Sequence, residues 1–150
     1  MATGLRKVAW GVGIAALTLA AANSFVATQA STCTMGSFES LGAAVWNIPM
    51  LFIGFGALLA RPLPRRGWLL LLPALAGFAY HLVWTARFAK HYLLDHGAVC
   101  DLLTGGASDF DGREPEFLLL WIGISLLIVV GLSLCGWRTI ASERSISVKR

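Results

Sequence analysis

Five side chains, His81, Trp84, Phe88, His91 and Asp95, follow one another at 3-4-3-4 spacing. That interval places residues on one face of an α-helix. An imidazole between aromatic rings can hydrogen-bond a carbonyl head group while the rings stack on it. On this pattern His81, Trp84 and Phe88 are candidates for a quinone pocket. The same residues have a plainer use, with His81 as an interhelical hydrogen-bonding group and Trp84 and Phe88 as packing and interface anchors. In that case His81 requires a protein partner, and Asn47 and Ser24 are the candidates.

The second set of reactive groups is the cysteines, of which there are three. Cys33 sits in the polar segment 31–40 and Cys100 in the Gly- and Asp-rich segment 96–116. One bridge between them is expected if both face an oxidising compartment. It would serve either as a structural staple or as a redox-active pair. The chain has no Cys-x-x-Cys, the arrangement that lowers a thiol pKa and resolves a mixed disulfide. Cys135 lies in an apolar run and reads as a small packing residue. His91, His96, Cys100 and Asp101 match no compact zinc-ligand spacing, so no metal site is expected.

Four apolar stretches must position these groups, at about residues 8–30, 41–60, 68–94 and 117–137. Each is about long enough to cross a ~30 Å hydrocarbon core at ~1.5 Å per residue. Apolar residues make up 57% of the chain and charged residues 13%, roughly half the charged fraction of a soluble domain. The expected fold is therefore all-α, a single-domain integral membrane four-helix bundle spanning 1–150, with the lipid bilayer as its first partner. Pro49, inside the second stretch, frees a backbone carbonyl one turn back. Gly54 and Gly56 offer close-packing points. A short helix is expected near residues 98–103.

Charge sets the expected orientation. Arg6, Lys7, Arg61, Arg65, Arg66, Arg138, Arg144, Lys149 and Arg150 flank the stretches on one side. Glu39, Asp95, Asp101, Asp109, Asp111, Glu114 and Glu116 lie in the other two connections. The positive-inside rule then puts both termini in the cytoplasm and the acidic loops outside, as in a bacterial inner membrane. The basic clusters read as topology signals and contacts to anionic lipid. No basic face exists apart from the helix flanks, which argues against nucleic-acid binding. A competing reading takes residues 1–30 as a cleaved signal peptide, with Arg6 and Lys7 before the apolar run and Thr28 and Ala30 at the cleavage site.

Cys33 is followed by Asn47-Ile48-Pro49-Met50 and then Ile53-Gly54-Phe55-Gly56, and Pro73-Ala74-Leu75-Ala76-Gly77 leads to Gly97-Ala98-Val99-Cys100. This order, over residues 33–103, resembles the vitamin K epoxide reductase family. The step Cys100-Asp101 is similar to one in disulfide-bond formation protein B, which shares the four-helix plan. The resemblance implies a membrane thiol oxidoreductase coupled to quinone, with Cys33 and Cys100 as its cysteines and an external thiol protein as partner. The chain departs from the family at Cys100-Asp101-Leu102-Leu103, where the family has Cys-x-x-Cys, and it lacks a second cysteine beside Cys33. A two-pair relay cannot be built from these residues. The alternative is a non-catalytic accessory subunit or maturation factor of a membrane redox complex, docked to other membrane subunits through helices rich in small residues.

Overall fold

A computed structural model describes residues 2–29, 38–104 and 114–147. Cys33, most of the loop after α5 and the last three residues lie outside the described residues. Within them the chain is helical, with α1 (Ala2–Gln29), α2 (Phe38–Val45), α3 (Asn47–Ala60), a 3-10 segment (Arg65–Leu71), α4 (Leu72–Leu93), α5 (Val99–Thr104) and α6 (Pro115–Ser147). Four segments are long and apolar enough to cross a membrane: Gly4–Gln29, Leu41–Ala60, Arg65–Leu93 and Pro115–Ser142.

The bundle is apolar on its surface as well as in its core, and a few polar side chains are buried within it. Phe25, Phe52, Ile53, Leu69, Val83, Leu119, Leu126 and Val130 are exposed, whereas Ser24, Thr28, Asn47, His81, Ser125 and Thr139 are buried. A hydrocarbon solvent would favour this arrangement, because a polar group facing lipid finds no hydrogen-bond partner.

Two prolines account for the interruptions. Pro49 has no N–H to give the Val45 carbonyl, and α2 ends at Val45. Trp46 keeps helical dihedrals (φ −64°, ψ −17°), so α2 and α3 continue as one span. Pro73 likewise cannot serve the Leu69 carbonyl, which instead accepts from the Leu72 N–H in the tighter 3-10 pattern. The third span therefore begins as a 3-10 segment at Arg65, earlier than the expected 68, and becomes α-helical at Leu72. The fourth helix also exceeds the expected 117–137 at both ends, because charge beyond Trp137 marks the edge of the apolar zone without breaking the helix.

The helices alternate in direction. Trp10 Nε1 on α1 donates to the Arg61 carbonyl (2.9 Å), and an Arg138 guanidinium N–H on α6 donates to the Leu59 carbonyl (3.1 Å). Trp68 Nε1 donates to Thr139 Oγ1 (3.3 Å). These links gather the start of α1, the turn after α3 and the end of α6 at one basic end. Glycine permits a close crossing of α1 and α4. A Cβ on Gly77 of α4 would lie 2.5 Å from the Ala21 Cβ and 3.1 Å from its Cα on α1.

Candidate functional site

His81 stands at the centre of a polar chain that joins four helical segments. Ser24 comes from α1, Asn47 from α3, His81 from α4 and Trp121 from α6. All four are buried, with His81, Asn47 and Trp121 at 0% exposure. Asn47 Nδ2 donates to Ser24 Oγ (3.0 Å), Ser24 Oγ lies 3.1 Å from His81 Nδ1, and His81 Nε2 lies 3.4 Å from the Trp121 carbonyl. Asn23 adds a further link, donating to Asn47 Oδ1 (2.9 Å) and to the Ala43 carbonyl.

Donor accounting fixes the direction of this chain. The Trp121 carbonyl can only accept, so His81 carries its proton on Nε2. Nδ1 is then an acceptor, and the Ser24 hydroxyl supplies the proton. Ser24 also has the Ala20 carbonyl within reach at 3.1 Å, but that carbonyl faces its own helical N–H. With a neutral ring, every link from Asn23 to Trp121 has one donor and one acceptor. The charged ring would leave Ser24 Oγ receiving two protons and force the serine back onto its own helix.

A second pair runs beside the first. Thr85 Oγ1 donates to the His81 carbonyl (2.9 Å) and lies 2.8 Å from Ser125 Oγ. Thr85 has one hydroxyl proton, so Ser125 is the donor between them. His81 and Thr85 are one turn apart on α4, as are Trp121 and Ser125 on α6.

The aromatic residues are distributed around the same point. The His81 ring stacks on Trp121, and Phe88 meets both Phe117 (5.2 Å, 84°) and Trp121 (5.1 Å, 80°) edge-on. Phe88 is fully buried in this cluster. Trp84 is half-buried, 5.3 Å from Phe88 and 6.2 Å from Tyr80, with the Arg87 guanidinium 5.0 Å over its ring. Of the three candidate pocket residues, His81 and Phe88 thus share Trp121, while Trp84 reaches the cluster only through Phe88. Both His81 nitrogens face protein atoms. Trp121 Nε1, by contrast, is buried with no hydrogen-bond partner among the described residues.

His91 and Asp95 point elsewhere. His91 Nδ1 lies 3.4 Å from Asp95 Oδ2, one turn on, and its ring packs against Gly97. Cys100 is fully buried at the start of α5, where Asp101 Oδ2 accepts from the Ala98 N–H (3.3 Å). Its expected mate, Cys33, is outside the described residues. Cys135 is a buried free thiol in α6.

Sequence reasoning missed Trp121, Thr85 and Ser125. The signal available was a pair of polar or aromatic i, i+4 steps, 81/85 and 121/125, on two apolar helices. No family model, curated protein or solved structure matches the chain.

Proposed function

We propose that this protein is a multi-pass membrane accessory subunit or maturation factor built on a scaffold of the vitamin K epoxide reductase and disulfide-bond formation type. On this reading the scaffold is retained and the cysteine relay is not. The observation that carries it is the closed polar chain at His81. A histidine whose two nitrogens face Ser24 and the Trp121 backbone holds helices together and has no valence left for a ligand.

Partners are drawn from the membrane. In the third span 22% of the most apolar stretch is buried within the bundle, which leaves most of that surface to lipid or to a neighbouring helix. An apolar cleft of about 310 Å³ between α3 and α6, lined by Ile48, Leu119, Leu120, Gly123, Ile124 and Leu127, suits a partner's transmembrane helix. Its glycine allows close approach.

Further parts of the reading are a Cys33–Cys100 bridge, cytoplasmic termini and acidic loops on the outer face of a bacterial plasma membrane. Of the described cysteines, Cys135 is free and Cys100 is not, which favours the bridge. The grouping of Arg6, Arg61 and Arg138 at one end favours the orientation.

A second reading is favoured by Trp121. Its buried indole N–H, without a partner among the described residues and set among Phe88, Phe117 and His81, is a donor that a quinone carbonyl would satisfy. In that enzyme an external dithiol would be oxidised to a disulfide while Cys33–Cys100 is reduced. The returning electron pair and two protons would convert quinone to quinol. Purification in mild detergent followed by quinone extraction and identification of co-purifying proteins separates the two. A stable membrane partner without stoichiometric quinone supports the accessory subunit. Stoichiometric quinone that is lost in Trp121→Phe supports the enzyme.

A further inference from the structure

We propose that the basic end of the bundle carries a specific site for the phosphate head group of an anionic phospholipid. The site is a cavity of about 320 Å³ lined by Arg6, Trp10, Arg61, Leu63, Pro64 and Ser142, with Ala60 and Pro62 completing the wall. It lies where the start of α1, the turn after α3 and the end of α6 converge.

The composition of the cavity matches an amphipathic ligand. Arg6 and Arg61 are both exposed, and neither is ion-paired with a described residue. Leu63, Pro62, Pro64 and Ala60 give it an apolar wall. A free anion would gain nothing from that wall, whereas a lipid's glycerol and first acyl carbons would lie against it. Guanidinium groups bind phosphate oxygens through paired N–H donors.

The cavity is also held in shape. Trp10 is bonded through Nε1 to the Arg61 carbonyl at 2.9 Å, and its ring sits 4.8 Å beneath the Arg6 guanidinium. One side chain therefore holds the Arg61 backbone by its N–H and the Arg6 guanidinium by its π-face. Thr139, one turn before the wall of α6, bonds the Leu63 carbonyl at 3.3 Å. Trp10, Trp68 and the exposed Trp137 lie at this end, the level at which aromatic belts meet head groups. The site stands whether the protein is an enzyme or a subunit.

The test compares the full chain with Arg6→Gln/Arg61→Gln and with Arg65→Gln/Arg66→Gln. The control pair removes the same charge from the neighbouring turn but not from the cavity. Each is placed in nanodiscs of phosphatidylcholine, with and without phosphatidylglycerol, and retained phosphatidylglycerol is counted by native mass spectrometry. The cavity variant should hold phosphatidylglycerol about thirtyfold less well, the effect of losing two interfacial cations. The control should change much less, and both should melt like the parent in phosphatidylcholine alone. Equal losses in the two variants would reduce the effect to diffuse surface charge and overturn the site. So would unchanged retention in the cavity variant. Inorganic phosphate is the remaining arm. If it displaces the lipid at comparable concentration, the ligand is a free phosphate and the lipid assignment fails.

Discussion

The His81 imidazole and the Trp121 indole lie parallel, with centroids 4.2 Å apart and planes 4° from coincidence. The same two residues are joined through His81 Nε2 and the Trp121 carbonyl. Stacking and hydrogen bonding thus fix α4 against α6 at a single height.

Replacing His81 by Phe keeps a ring on Trp121 and removes both nitrogens. Ser24 then loses its acceptor and must turn back to Ala20, so unfolding in mixed micelles should show a loss of about 1–3 kcal/mol. A double-mutant cycle with Ser24→Ala should return a coupling of about 0.6 kcal/mol and at most ~1.7 kcal/mol, the mean and the maximum for interhelical bonds in lipid. A zero coupling would show the link to be incidental.

Gly77→Ala should force α1 and α4 apart, because the new methyl would meet the Ala21 backbone. Overpacking of this kind costs about 1–3 kcal/mol. Gly56 has nothing within 4 Å of its notional Cβ, so Gly56→Ala should be neutral or stabilising by up to ~1 kcal/mol. Paired thermal melts in one detergent compare the two directly.

Non-reducing digestion and mass mapping should recover peptides containing Cys33 and Cys100 as one linked species. Recovery of both as free thiols, from protein made in an oxidising compartment and alkylated before lysis, removes the bridge from the account. Cys33→Ser/Cys100→Ser should leave the four spans inserted.

A reporter fused after Arg150 should be active only on the cytoplasmic side, and one inserted between residues 105 and 113 only on the outer side. The opposite pattern would mean that the basic end faces outward.

Local pattern carried much of this structure. Hydropathy alone placed the span 41–60, and the missing N–H of Pro49 marked the freed carbonyl one turn back, though not that α2 would end there. Polar residues on apolar helices marked Ser24 and Asn47 as candidate partners for His81; Ser24 is one, and Asn47 reaches the ring only through Ser24. What stayed hidden was which ring faces which. Trp121 is one of several large residues on α6, and its height relative to His81 depends on the turn at Arg61–Pro64 and on the loop before α6. Neither leaves a periodic trace. The 3-10 start of the third span was equally obscure, because Pro73 acts backward on Leu69, within a run that reads as uniformly apolar.

The polar chain also has an order in time. Spans enter a bilayer from the N-terminus onward and associate after insertion. Ser24 and Asn47 can pair once the second span is in place. In that pair the Ser24 hydroxyl can rest only on the Ala20 carbonyl of its own helix until α4 delivers His81. The imidazole in turn holds a spare N–H until α6 brings the Trp121 carbonyl. Each newly threaded helix satisfies the valence left open by its predecessors, and sliding any helix by one residue turns its contribution by ~100°. The chain of bonds therefore closes only when all four helices share one register, so a misregistered helix leaves a buried valence open.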